Sequence, residues 1–302
     1  MTAKIETRRF DALLKSFERR RPIRAGSLIV TIYGDAIVPR GGSLWLGSLL
    51  EMMAGFGVEP GLVRTAISRL VSDGWFERTR VGKRSYYRLS AQRAAEFAAA
   101  TTRIYRAGDP VWSGELDLLI VTSPDAMQRA AYRDQKLREG YGQAAANVLL
   151  RPRTSGVIPG TPETDRGKAI LLVARPGSEP EVRMLAQACW QLDELAAAYR
   201  NFLRTFGPVA DEIAEGRRLS GAQAFQLRIL LVHDWRRIVL RDPLLPRAML
   251  PEDWPGTRAR ALIAGAYRRI LASSERWLDQ NAVDQNGGLP PAAADLGRRF
   301  QG

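Results

Sequence analysis

The chain has 302 residues, 45% of them hydrophobic and 25% charged, an ordinary globular balance with material for about two domains. Lys and Arg number 45 against 32 Asp and Glu, a formal net charge of +13. The longest apolar-rich runs, Leu28–Ile32, Leu116–Val121 and Ile170–Ala174, fall far short of the ~18 residues of a membrane span. The Arg-rich stretch Met1–Arg24 has no apolar segment suited to a signal peptide, and the single Cys189 excludes a disulfide framework or a cysteine-cluster zinc site. A cytoplasmic protein with no membrane partner is expected.

The charge is unevenly placed. Residues 1–100 hold 17 basic and 9 acidic side chains, residues 101–180 hold 11 and 9, and residues 181–302 hold 17 and 14. A basic excess gathered in one region is the electrostatic footprint of a nucleic-acid binder, whereas a surface made basic for solubility alone would spread it.

Residues 1–24 read as a basic arm or helix ahead of a first domain over 25–107. Leu28, Ile29, Ile32, Tyr33, Ala36 and Ile37 recur at helical spacing, so a first helix runs to just before Pro39. Arg40-Gly41-Gly42 is a turn, and Ser43 is a candidate N-cap for a second helix that buries Leu46, Leu49, Leu50 and Met53. Glu59-Pro60 opens a third, with proline suited to a first turn and the carboxylate to the positive end of the helix dipole. Its core face is Leu62, Val63, Ala66, Ile67, Leu70 and Val71, and its other face, Arg64, Thr65, Ser68, Arg69 and Ser72, carries no acid. Trp75–Arg80 and Arg84–Leu89 are strand-like around a Val81-Gly82-Lys83 turn, a hairpin whose tip carries Arg78, Arg80, Lys83 and Arg84.

Three helices and a basic hairpin are the order of a winged helix-turn-helix. Such a third helix reads base edges in the major groove with short polar side chains and arginine, while the hairpin meets phosphates. Arg64, Thr65, Ser68 and Arg69 are therefore candidates for base contact, and Arg78, Arg80, Lys83 and Arg84 for phosphate contact.

Downstream, residues 108–188 alternate strand, helix, strand, strand and helix (Glu115–Thr122, Pro124–Glu139, Asn147–Arg151, Ala169–Ala174, Glu179–Ala188), which suggests a small ferredoxin-like α+β domain. Residues 189–285 are helical, with Leu192, Leu195, Tyr199, Phe202 and Phe206 on one face. Ala224–Leu240 is apolar nearly all round, as a buried central helix is. Arg258–Gln280 is the last helix, and 286–302 is expected to be a flexible tail.

Longer motifs resemble one family. Ser27–Asp35, Pro39-Arg40-Gly41-Gly42, Trp45–Leu49, Val63–Leu70 and Gly82–Leu89, followed by Leu230–Arg237, Arg241–Pro246 and Leu250–Gly256, are similar to the phenylacetate-degradation repressor (PaaX) family over most of residues 25–280. That resemblance implies a winged helix, a Cas2-like middle domain and a helical effector and dimerisation domain. It implies a homodimer on an inverted-repeat, double-stranded DNA operator of aromatic-acid catabolism genes. It also implies an aryl-CoA effector such as phenylacetyl-CoA, with no cofactor.

Catalysis is the competing class. His233 is the only histidine, so a Ser-His-Asp triad or multi-histidine metal site has no second one to draw on, and neither a Walker motif nor a dinucleotide fingerprint occurs. A metal-dependent nucleic-acid-processing enzyme would have to use Asp117 or Asp125 of the middle domain, since carboxylates alone can hold Mg²⁺. His233, Arg236, Arg237 and Arg241 admit two readings: a buried histidine beside structural ion pairs, or the lining of a site for an anionic effector.

Overall fold

In the computed structural model, which describes residues 8–20, 24–154 and 167–301, the fold begins with an amphipathic helix. This helix, α1 (Arg8–Glu18), buries Phe10, Leu13 and Phe17 on one face. The rest of the segment expected as an arm or helix, 1–7 and 21–23, lies outside the described residues.

The next helix, α2 (Ala25–Ile32), buries Leu28, Ile29, Thr31 and Ile32. It does not run on regularly to Ile37. Tyr33–Ile37 widens into a π-helical turn, and Val38–Arg40 tightens into a 3-10 turn at Pro39, which offers no N–H to a continuing helix. The change of pitch buries Tyr33, Asp35, Ala36 and Ile37 together. Gly41 and Gly42, with φ of 86° and 76°, then reverse the chain in a conformation that disfavours other residues.

Ser43 is not a helix cap. Ser43–Trp45 forms β1, whose residues pair antiparallel with Arg88–Tyr86, so the next helix, α3 (Leu46–Ala54), begins only after an extended Trp45. Then come α4 (Pro60–Ser72), β2 (Phe76–Val81), β3 (Arg84–Leu89) and α5 (Ala94–Ile104), with sheet order β1-β3-β2.

A second sheet joins β4 (Trp112–Val121), β5 (Gly142–Ala145), β6 (Val148–Thr154) and β7 (Ala169–Ala174) in the order β5-β6-β4-β7, every neighbouring pair antiparallel. Helix α6 (Ala126–Arg138) lies between β4 and β5, and α7 (Glu179–Cys189) follows β7. Leu119, Val121 and Leu149 on one face of the sheet meet Tyr132 and Tyr141 in a local core. The strand β5 was not expected: Gly-Gln-Ala-Ala carries none of the β-branched or aromatic residues that mark a strand. A ferredoxin-like order would place the second helix between the third and fourth strands, where residues 155–166 lie outside the described residues.

The remaining helices are α8 (Leu192–Ala214), α9 (Gly221–Val239) and α10 (Pro255–Asn281), followed by the short pair β8 (Val283–Asp284) and β9 (Gly287–Gly288). Ser220 and Gln223 form a reciprocal capping box at the start of α9. As expected, α9 is buried nearly all round.

That burial changes the domain division. The expected helical domain of 189–285 would give α9 only α8 and α10 as cover, but a helix buried nearly all round needs cover on every side. Helices α2 and α5 supply part of it. The chain accordingly divides into one unit of Met1–Ala107, Asn201–Leu240 and Arg258–Gly302, and another of Gly108–Arg200 and Arg241–Thr257. Nor are residues 286–301 a loose tail. Leu289, Leu296 and Phe300 are buried, the Phe300 N–H donates to the Tyr105 carbonyl, and the Arg299 guanidinium bonds Asp35 at 2.9 Å.

Candidate nucleic-acid interface

Glu59 is extended and Pro60 occupies the first turn of α4. Val63 and Ile67 face the core, whereas Leu62, expected there, is 45% exposed. Arg64, Thr65, Ser68, Arg69 and Ser72 are all exposed along the opposite side. The Thr65 hydroxyl donates to the Gly61 carbonyl of the same helix, at 3.0 Å.

The hairpin is held tightly to this helix. The Trp75 N–H donates to the Leu70 carbonyl, so β2 starts directly beneath the end of α4. The Tyr33 hydroxyl donates to the Tyr87 carbonyl at 3.1 Å, and the Tyr33 ring packs edge-on against Phe76, with centroids 4.6 Å apart. At the tip a two-residue turn, Gly82-Lys83, joins Val81 to its partner Arg84, with Gly82 at a φ of 59°. Cross-strand pairing sets Arg78 opposite Tyr87 and Arg80 opposite Ser85 on one face, and leaves Arg84 and Arg88 on the other.

The hairpin is therefore basic on both faces. The Arg84 guanidinium stacks over the Trp45 ring at 4.7 Å, and Arg80 Nε donates to the Gly82 carbonyl at 3.2 Å. Arg88, exposed and beside Arg84 in the pleat, was missed as a candidate; two-residue alternation from Arg84 through Tyr86 would have found it. Among the described residues no carboxylate is paired with Arg64, Arg69, Arg78, Arg80, Lys83, Arg84 or Arg88. Glu77, exposed on β2 directly across from Arg88, is the one carboxylate in the two hairpin strands.

Behind the interface, buried ions tie the unit together. Asp35 accepts from Arg228 Nε at 2.5 Å, from Tyr105 and Tyr267 hydroxyls at 2.5 and 2.9 Å, and from Arg299. Burial opposes charge on Asp35, but Arg228 and Arg299 with the two hydroxyls hold its carboxyl below the usual range. Arg228 also pairs with Glu275, which in turn binds Arg40 at 3.0 Å.

The four residues considered for an effector are not one cluster. His233 is buried with Nδ1 2.9 Å from the Thr31 hydroxyl, and burial together with Arg236, Arg237 and Arg20 lowers its pKa to about 3. It is neutral at pH 7 and engaged. Asp234 pairs with Arg20, and Arg236 Nη2 donates to the carbonyl and hydroxyl of Ser27 at 2.9 and 2.6 Å. Arg237 and Arg241 are exposed, Arg241 in the other unit.

The carboxylates considered for metal chemistry have structural partners. Asp117 is buried against Arg151 and Arg153, at 3.0 and 2.8 Å, and Asp125 caps α6 by accepting from the Gln128 N–H. No group of three or more His, Cys, Asp or Glu suited to a metal ion occurs among the described residues, and none of their helices is long and apolar enough to cross a membrane.

Residues 24–93 match the PaaX-like protein family and residues 190–280 match the PaaX-like protein C-terminal domain. Along 301 residues the chain is 32% identical to the transcriptional repressor PaaX of Escherichia coli strain K12, covering 97% of this chain and 95% of that one. The chain belongs to the PaaX-like family. A solved structure, the uncharacterized protein Rv0674 from Mycobacterium tuberculosis, is similar with a TM-score of 0.50 and 26% identity, over 75% of this chain and 90% of that one. The PaaX-like match over 24–93 spans α2 to β3, the whole of the basic helix and hairpin. The repressor is a regulator and not an enzyme, and nothing in the family match supports the nuclease alternative.

Proposed function

We propose that this chain is a DNA-binding transcriptional repressor of genes for the breakdown of phenylacetate and related aromatic acids, released from its operator by an aryl-CoA thioester such as phenylacetyl-CoA. One observation carries the reading: a basic surface formed by the acid-free exposed face of α4 and the arginine- and lysine-rich β2–β3 hairpin, in a chain similar along 97% of its length to a transcriptional repressor. Residues 25–107 act as a winged helix, with α4 in the major groove and the hairpin on flanking phosphates. One such module reads only a short half-site, too little for selectivity across a genome, so two copies bind an inverted repeat about one helical turn apart. Exposed Ile170 and Leu172 on the edge strand β7 support self-association.

The effector's phosphates are what distinguish it from the free acid, which offers one carboxylate and a ring. Release needs tighter binding to the DNA-incompetent state; a tenfold loss of operator affinity corresponds to a coupling of about 1.4 kcal/mol. An operator titration with phenylacetyl-CoA, CoA and phenylacetate tests this. Release by the thioester alone is expected, and retention of DNA at saturating thioester would overturn the effector assignment.

A further inference from the structure

Within the first unit α2, the π-helical turn after it, α5 and α9 line a partly open cavity of about 140 Å³. Trp75, Phe97, Tyr105 and Val232 contribute to its wall, which is largely apolar. A cavity on the order of 150 Å³ with apolar walls admits one benzene ring. Trp75 and Phe97 already meet edge-on at 6.0 Å, the arrangement in which an added ring finds further edge and face partners.

Thr31, Asp35, Glu96, Thr101 and Arg236 supply the polar part of the lining, and of the three charged ones Asp35 and Glu96 are already paired with arginines. Arg236 uses Nη2 on Ser27, but its Nε is buried with no hydrogen-bond partner. Among the described residues no carboxylate pairs with this guanidinium, and burial together with Arg237 lowers its pKa. A buried donor without an acceptor beside a ring-sized space is chemistry that a ligand completes.

We propose that this cavity binds the aryl-acyl end of the effector, the ring against Trp75 and Phe97 and the acyl carbonyl accepting from Arg236 Nε. The proposal rests on the aryl-CoA reading above and assigns the place where the ring is held. It also assigns a route to DNA. Trp75 joins α4 to β2, its N–H bonded to Leu70 and its neighbour Phe76 packed on Tyr33. An occupant touching Trp75 therefore touches the joint that fixes the basic helix relative to the basic hairpin.

The test uses the full chain and two probes: phenylacetyl-CoA by calorimetry, and phenylacetamide, which has the ring and carbonyl but no CoA, by saturation-transfer NMR. Ala100→Phe fills the cavity, Thr101→Met fills it with a flexible chain where a ring at 100 unseats α5, and circular dichroism confirms folding of each. We expect at least tenfold weaker phenylacetyl-CoA binding in a folded, filled variant, and loss of the phenylacetamide signal. Arg236→Met should weaken phenylacetamide more than toluene, added for this variant as a control that has no carbonyl. Equal phenylacetyl-CoA affinity in wild type and filled variants overturns the cavity while leaving the repressor reading intact. Phenylacetamide binding that the filled variants abolish, with no binding of phenylacetyl-CoA, supports the cavity and overturns the effector reading. Failure of both probes to bind wild type overturns the cavity.

Discussion

His233 sets the behaviour of the first unit in acid. Its folded pKa, lowered to about 3, lies below the ordinary histidine value of 6.5, so an unfolded chain takes up a proton that the folded chain refuses between those limits. The stability this provides is complete above pH 6.5 and is lost as pH falls toward 3, by up to about 1.4 kcal/mol for each pH unit inside the window. His233→Asn keeps a polar partner for Thr31 but cannot be protonated. Its melting temperature should lie below that of wild type at pH 7, and the gap should close as pH falls to 4; a gap independent of pH would show that His233 carries no such linkage. The sequence pointed to this residue because it is the only histidine on an apolar helix. It left the choice between anchor and core open, because the Thr31 contact is made by a residue 202 positions away.

The ion cluster at Asp35 works at the level of elements, joining the π-helical turn, α9, α10 and the C-terminal segment. Breaking a buried pair strands its partner charge, so Arg228→Met should cost about 3–5 kcal/mol in urea unfolding. Adding Asp35→Asn should recover part of that loss; simple additivity would mean the two do not act as a pair. Arg299→Ala should cost about 1–3 kcal/mol through the bonds lost at Asp35, whereas wild-type stability would restore the picture of a loose tail. None of this cluster is legible locally, since Asp35 and Arg228 are 193 positions apart. By contrast, α4 and the hairpin are legible because their signals are local: Glu59-Pro60 to start, Val63 and Ile67 one turn apart, Gly82 at the turn. Strand β1 escaped notice because pairing with Arg88–Tyr86, forty residues on, overrides the capping preference of Ser43.

For the whole molecule, the expected sequential domains gave way to two discontinuous units because burial of α9 draws chain from both sides of the middle segment. We expect the protein to sediment as a dimer at micromolar concentration and Leu172→Glu, which charges the exposed edge of the second sheet, to shift it toward monomer. A strict monomer that binds half-sites as tightly as full operators would remove the two-fold arrangement. The expected division of labour is that α4 reads bases while the hairpin holds phosphates. It is tested most directly by measuring the affinity of wild type, Arg64→Ala, Arg69→Ala and Lys83→Ala for operator and scrambled duplexes across a salt series. The arginine variants should lose about 1–3 kcal/mol on operator and much less on scrambled DNA, and Lys83→Ala should weaken both alike and reduce the salt slope by about 0.9. Wild-type affinities and slopes in all three variants would contradict it.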